Sequence, residues 1–259
     1  MAVSIPELLQ DLRAETLPCT ENEPLARHTT FRIGGPAAVF CQPRTAAELM
    51  RTLELCRAHH VRTYLLGNGS NVLFADAGFP GAVVCLTALA SQPTLERQPD
   101  GRVALKTGAG VTLAAVCRAA CAAGLTGLEF AYGIPGTLGG AVYMNAGAYG
   151  GEIKDALASA AFLDERLRLQ TLPTPALALG YRTSVFETKN WCILEATFLL
   201  KPDPQGPAAV QARMEDFMAR RRGKQPLDLP SAGSTFKRPQ GAFAGQLIDQ
   251  CGLRGFAVG

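Results

Sequence analysis

The sequence predicts an α+β fold built from more than one subdomain, and three observations carry that reading. In the first ninety residues one amphipathic helix pattern, with Leu49, Leu53 and Cys56 at helical spacing, stands between strand-like runs, as in a small α/β unit. Between 156 and 200 the pattern changes to three strand-like runs that resemble antiparallel neighbours. The chain has 259 residues, 47% hydrophobic and 18% charged, enough to bury a full core divided among two or three subdomains.

The elements follow in order. Ser4-Ile5-Pro6-Glu7 has the spacing of a capping box and opens a short first helix. Thr45-Ala46-Ala47-Glu48 repeats it and opens the amphipathic helix, which runs to about His60. Residues 62–66 read as a strand broken by Gly67-Asn68-Gly69-Ser70-Asn71, with further short strands at 72–74 and 82–86. Residues 102–107 read as a strand and Gly108-Ala109-Gly110 as a turn. Thr112 then caps an Ala-rich helix with Leu113, Val116, Cys117 and Ala120 on one side and Gly124 at C′. Strands are expected at 156–163, 166–172 and 193–200, and 201–207 is the best linker candidate. Val210, Met214, Phe217 and Met218 form the stripe of a last helix, whose basic end at Arg220, Arg221 and Arg222 suits the negative pole of the helix dipole.

Composition narrows the function. A formal charge of +3 is too small to argue for nucleic acid. The first twenty residues lack a basic start followed by an apolar run, and no apolar run approaches the ~20 residues of a membrane-spanning helix. A cytoplasmic protein without membrane insertion is the expectation. The eight cysteines form no CxxC pair and no zinc spacing with histidine, so reduced core thiols are expected and no metal site.

The most informative stretch is 132–151, YGIPGTLGGAVYMNAGAYGG, which is too irregular for a plain helix or strand. Glycine at this density carries an entropic cost and lets backbone approach a bulky ligand. A cofactor loop fits this, and so does a bulged strand. Gly67-Asn68-Gly69-Ser70-Asn71 offers amides, hydroxyl and carboxamide groups to a phosphate, or forms a tight turn. It is not GxGxxG and no helix start follows, which argues against a Rossmann site. In Gly180-Tyr181-Arg182-Thr183-Ser184-Val185-Phe186 the arginine fork matches a carboxylate or enolate, or serves a surface ion pair. In Pro230-Ser231-Ala232-Gly233-Ser234-Thr235-Phe236-Lys237-Arg238-Pro239, small residues open access to the Ser234 hydroxyl beside two cations. An ordinary basic-edged loop fits equally. With histidines only at 28, 59 and 60 and no GxSxG elbow, a hydrolase triad is poorly supported.

Thr30-Phe31-Arg32-Ile33-Gly34-Gly35, GNGSNVLF, GIPGTLGGAVYMNAGAYG, GYRTSVF and QPLDLPSAGSTFKRP occur in this order. On these segments the chain closely resembles the UDP-N-acetylenolpyruvoylglucosamine reductase (MurB) family, from about residue 24 to 259. It is similar to the shorter, type II branch, since no long insertion separates the Arg182 segment from Trp191. The resemblance implies an FAD-binding domain of the p-cresol methylhydroxylase (PCMH) type made of two α/β subdomains, followed by a smaller α+β substrate-binding domain. The expected division is 1–23 as N-terminal helix and lead-in, 24–202 for FAD (subdomains 24–88 and 89–202), and 203–259 for substrate.

It further implies non-covalent FAD, NADPH as reductant and a nucleotide-sugar substrate, an enolpyruvyl ether reduced to UDP-N-acetylmuramate for peptidoglycan. A monomer is favoured. By resemblance Gly67, Asn68, Gly69, Ser70 and Asn71 hold the FAD pyrophosphate. Ile134, Pro135, Gly136, Gly139, Gly140, Asn145, Gly147 and Ala148 line the flavin. Arg182 is the active-site arginine and Ser234 the proton donor, while Tyr181, Lys224, Lys237 and Arg238 contact substrate. The family pattern continues beyond the position of Gly259 with a late glutamate that has no counterpart here, so the substrate domain is expected to be incomplete. Two other readings stand beside this one. One is a binder of FAD or nucleotide sugar without turnover; the other is a different PCMH-type flavin oxidase, although no histidine for covalent attachment lies between Val61 and Phe74.

Overall fold

Two sheets organise the chain, and the apolar core beside the first also takes in Leu163, Leu167 and Cys192 from the second. The structure, a computed structural model, describes residues 4–258; residues 1–3 of the expected lead-in and Gly259 lie outside the described residues. The first unit comprises α1 (Ile5–Ala14), β1 (Cys19–Pro24), β2 (Pro36–Cys41), α2 (Ala46–Ala58), β3 (Thr63–Leu66) and β4 (Phe79–Cys85). Its sheet runs β1-β2-β4-β3; β4 is parallel to both β2 and β3, and β1 is an antiparallel edge. Leu49, Leu53 and Cys56 of α2 bury one face of it together with Leu8, Leu9 and Leu12 of α1. Phe40, Leu66, Phe74, Phe79 and Val83 form a second cluster. His59 Nε2 lies 2.8 Å from Asp11 Oδ2, fastening α2 to α1, which gives that histidine a structural role.

The second unit comprises β5 (Thr94–Arg97), β6 (Val103–Gly108), α3 (Leu113–Ala122), β7 (Leu125–Thr126), α4 (Leu138–Tyr143), the short ladder of β8 (Gly147–Ala148) and β9 (Gly151–Glu152), β10 (Leu157–Leu163), β11 (Leu169–Pro173) and β12 (Cys192–Pro202). Its large sheet, β11-β10-β12-β6-β5, is antiparallel throughout, with β7 paired to the end of β12. Helix α3 buries the four residues that the pattern placed on one side, is capped by Thr112 Oγ1, and passes into Gly124 at φ +67°. Thr45 likewise caps α2, while Glu48 reaches back to the Arg44 amide at 2.7 Å. After β12 come α5 (Pro207–Arg222), whose Val210 and Met214 enter the second core, and α6 (Ala244–Gln250).

Several expectations are corrected. Ser4 stands at the N-cap of α1, but its side chain accepts no cap bond; Pro6 and Glu7 in the first turn remain as the start signals. Residues 72–74 form no strand; Phe74 is buried through ring contacts with Tyr64 and Phe79. Strand β11 begins only at Leu169, because Asp164 Oδ1 accepts the Arg166 and Arg168 amides and closes a turn with Leu167 at φ +59°. The 201–207 linker candidate is shorter than expected: β12 continues through Pro202 and α5 starts at Pro207. Nor is α5 the last helix, since α6 follows, with no buried residue. Only Val210 and Met214 of the α5 stripe are buried; Phe217 instead stacks on Tyr149 at 4.8 Å. Five of the eight unpaired cysteines are buried, and desolvation pushes Cys117 up to about 12.

An ion-pair node fastens α5 to the second sheet. Arg213 donates to Glu129 Oε1 at 2.9 Å and to Asp203, both nearly buried. Burial alone would raise the Glu129 carboxyl, but bonds from Thr126, from backbone amides and from Arg213 outweigh it and hold it below the usual range. Asp203 is also lowered, first by the Gln205 amide, against some desolvation and with help from Arg213. Depressed carboxyls contribute stability that is present above their unfolded values of about 4 and is lost as pH falls through the folded ones. Arg213→Met is therefore expected to lower stability at pH 7 by about 1–2 kcal/mol, discounted because the arginine is 39% exposed. Urea melts at pH 7 and pH 3 check this: the loss should shrink at pH 3, and an equal loss at both would remove the ionic explanation.

Candidate active site

Residues 67–71 leave β3 as a bend rather than continuing into a helix. Gly69 has φ +61°, and a Cβ there would lie 2.0 Å from His28 O, so only glycine seats this loop against 28–30. Thr30 holds it by donating its amide to Gly69 O at 3.1 Å. Asn68 Nδ2 donates to Pro135 O at 2.8 Å, which brings the first glycine loop onto the second. Between them sits Thr137, 2% exposed, close beside Gly67.

The 132–151 stretch is more regular than its glycines indicate, because it contains α4. The Leu138 and Gly139 amides donate to Val111 O and Ala109 O at 2.8 and 2.9 Å, anchoring the helix start on the turn after β6. Gly139 is required there, since a Cβ would lie 2.9 Å from Ala109 Cβ; Gly140 and Pro135 are exposed. Ile134 and Gly136 are half-buried before α4, while Gly147 and Ala148 form β8. Asn145, 1% exposed, spends its side chain on the chain itself, bonding Glu152, Gly180 O and the Lys154 amide.

Gly180 to Thr183 make a tight turn with reciprocal backbone bonds of 3.1 and 3.4 Å, and Arg182 stands in it at φ +56°. The Arg182 guanidinium meets a backbone carbonyl, Nη2 donating to Gly147 O at 3.4 Å. Glu152 is held below the usual carboxylate range first by its bond from Lys154, with Asn145 and the charge of Arg182 adding to that against some desolvation.

The segment carrying Ser234 is tied down on both sides. Ser231 exchanges bonds with Thr30: its amide donates to Thr30 O at 3.1 Å and its carbonyl accepts from Thr30 Oγ1 at 2.6 Å. The Arg238 amide donates to the Tyr181 hydroxyl at 3.0 Å. Ser234 thus lies on a strap running from the residue that holds the first glycine loop to the turn that carries Arg182. Lys237 is exposed on this strap, and the Arg238 guanidinium lies over the Phe243 ring at 4.8 Å. Lys224 is exposed just beyond α5; nearby Arg221 packs against Gly133, next to the second glycine loop.

Residues 36–171 match the family described as FAD binding domain, and 225–259 the family described as UDP-N-acetylenolpyruvoylglucosamine reductase, C-terminal domain. The UDP-N-acetylenolpyruvoylglucosamine reductase of Lachnoclostridium phytofermentans is 43% identical over 257 residues, which is 99% of this chain and 81% of that protein. The chain belongs to the UDP-N-acetylenolpyruvoylglucosamine reductase family. The crystal structure of the Thermus caldophilus reductase aligns with TM-score 0.77 and 32% identity, covering 94% of this chain and 82% of that one. Cholesterol oxidase from B. sterolicum, 13% identical with TM-score 0.57 over 73% of this chain and 38% of its own, shares the fold alone.

The residues of this reductase-family chain fit FAD. Beside Gly67 and Asn68 lies a cavity of about 230 Å³ whose lining includes Arg27, Thr29, Thr30 and Thr87 and no carboxylate. Cβ atoms added at Gly136 and Gly140 would meet nothing closer than hydroxyl oxygens at 3.6 and 3.7 Å, so these glycines leave open space. Hydroxyl, carboxamide and guanidinium donors around an open glycine-lined gap suit a dinucleotide with an anionic centre. Thr30, Thr137 and Glu152 also belong to the site, beyond the residues that the resemblance implies. Thr30 and Thr137 fall within the ordered segments, which is their signal in the sequence; Glu152 carries none.

Proposed function

We propose that the chain reduces the enolpyruvyl ether of UDP-N-acetylglucosamine to UDP-N-acetylmuramate, with FAD and NADPH, as a cytoplasmic step of peptidoglycan precursor synthesis. Residues 24–202 hold the cofactor and 203–259 the nucleotide sugar, within a monomer. One observation carries the reading: the Ser234 strap is bonded at one side to Thr30, which holds the first glycine loop, and at the other to Tyr181, the neighbour of Arg182.

Bound FAD supplies a two-electron carrier between NADPH and the vinyl carbon of the substrate. Amides and side chains of 67–71 grip its pyrophosphate, and the 134–148 backbone bounds the flavin. Negative charge then develops on the substrate C2 and its carboxylate, and such an enolate needs fixed positive groups. Arg182 supplies them without changing protonation. Ser234 donates a proton to C2. A hydroxyl is a weak acid, so its position matters more than its pKa. Tyr181, Lys224, Lys237 and Arg238 hold the nucleotide sugar.

The purified protein is expected to show a flavin spectrum and to sustain NADPH oxidation beyond one equivalent per flavin only when the enolpyruvyl substrate is present. A yellow protein without substrate-dependent oxidation is a binder, which sinks the enzymatic reading. Colourless protein that takes up no FAD sinks the whole proposal.

A further inference from the structure

We propose that Asn145 is the positioning residue for Arg182, acting on the reaction through the arginine rather than through the cofactor; this rests on the role given to Arg182 above. Asn145 is 1% exposed and sits at φ +44°, where α4 has just ended. Both protons of its carboxamide are used: Nδ2 donates to Gly180 O at 2.9 Å and to Glu152 Oε2 at 3.0 Å. Its Oδ1 accepts the Lys154 amide at 3.0 Å. One side chain therefore joins the end of the glycine-rich stretch, the β9 turn and the first residue of the Arg182 turn.

The chemistry demands this side chain. A carboxamide alone among short side chains offers two donors and an acceptor in one plane. Aspartate has the same shape but has no proton for Gly180 O, and it sets a second carboxylate against Glu152. Alanine leaves Gly180 O with only the 3.4 Å bond from the Thr183 amide and takes the side-chain acceptor away from the Lys154 amide. Arg182 feels the consequence directly. Its left-handed backbone is framed by Gly180, and its guanidinium meets Gly147 O, two residues beyond Asn145. Glu152 is held by Asn145 and by Lys154 Nζ at 2.7 Å, and its carboxyl is lowered first by the Lys154 bond and to a smaller degree by the charge of Arg182. Release of Asn145 loosens the turn and removes one of the bonds that fix Glu152, which Lys154 still holds.

The test is a double-mutant cycle on the FAD-loaded protein with Asn145→Ala and Arg182→Ala. Two quantities are read: the rate of the substrate half-reaction, and the dissociation constant of UDP-N-acetylmuramate from the oxidised protein, taken from the flavin absorbance change. Asn145→Ala is expected to slow the half-reaction about 10- to 100-fold and to weaken product binding, while the double variant is no worse than Arg182→Ala alone. Losses that multiply in the double variant overturn the proposal. So does a fall in FAD affinity that accounts for the whole defect, which makes Asn145 a cofactor contact. Asn145→Asp, close in shape, runs the same cycle if the alanine variant does not fold, and the same outcomes decide. If Arg182→Ala alone reacts at the parental rate, the role of Arg182 itself falls, a result visible without any change at Asn145.

Discussion

Replacing Ser234 by alanine is expected to lower turnover about 10³-fold while NADPH still reduces the bound cofactor at close to the parental rate. The geometry separates the two effects. The strap is secured by backbone groups of Ser231 and Arg238, which bond Thr30 and the Tyr181 hydroxyl, and neither bond involves the Ser234 side chain. Ser234 is exposed, so losing its hydroxyl should change stability by no more than ~0.5 kcal/mol. What disappears is a proton held where C2 becomes basic. Stopped-flow traces of the two half-reactions decide the matter. Equal slowing of both, or a slow first step with a normal second, takes the proton-donor role away from Ser234.

Helices α2 and α3 are legible because each carries its own start signal and stripe. Thr45 and Thr112 do cap α2 and α3, and the predicted apolar faces are the buried ones. The unpredicted strands lack the alternation that reveals a half-buried strand. In β2, PAAVFC is an almost continuous apolar run, typical of a strand in a parallel pair covered on both faces, while β5, TLER, is wholly exposed. Helix α4 hides behind Gly139 and Gly140, which are poor helix formers, because packing against Ala109 excludes a side chain at 139.

At the site, the order of five segments exposed the family and most of the candidate residues. It did not expose what holds them together. The Thr30–Ser231 bond spans 201 positions and the Tyr181–Arg238 bond 57, and separations of that size leave no periodicity to read. Asn145 shows the same limit from the other side. The sequence marked it as a member of a flavin-lining stretch, yet its carboxamide is spent on three partners within the protein.

Arg182→Gly is expected to cost about 10²–10³ in turnover without lowering the melting temperature. In the turn from Gly180 to Thr183, Arg182 stands at the third position with φ +56°, where glycine is the favoured residue. A side chain in that conformation costs on the order of 1–2 kcal/mol. Glycine removes the strain and gives back part of the gain through a more flexible unfolded chain, about 0.4–1 kcal/mol. The fold alone thus gains little from arginine here: its hydrogen bond to Gly147 O is long, and its guanidinium lies 6.0 Å from the Tyr181 ring centroid. The position makes sense if the cation is kept for the substrate. Arg182→Lys separates charge from shape: it keeps the charge and the strained backbone but lacks the planar fork, so it too should lose turnover without gaining stability. Melting curves and substrate half-reaction rates of both variants test the argument. Full turnover in the glycine variant, or a melting temperature several degrees below the parent, would show that the arginine serves the turn rather than the reaction.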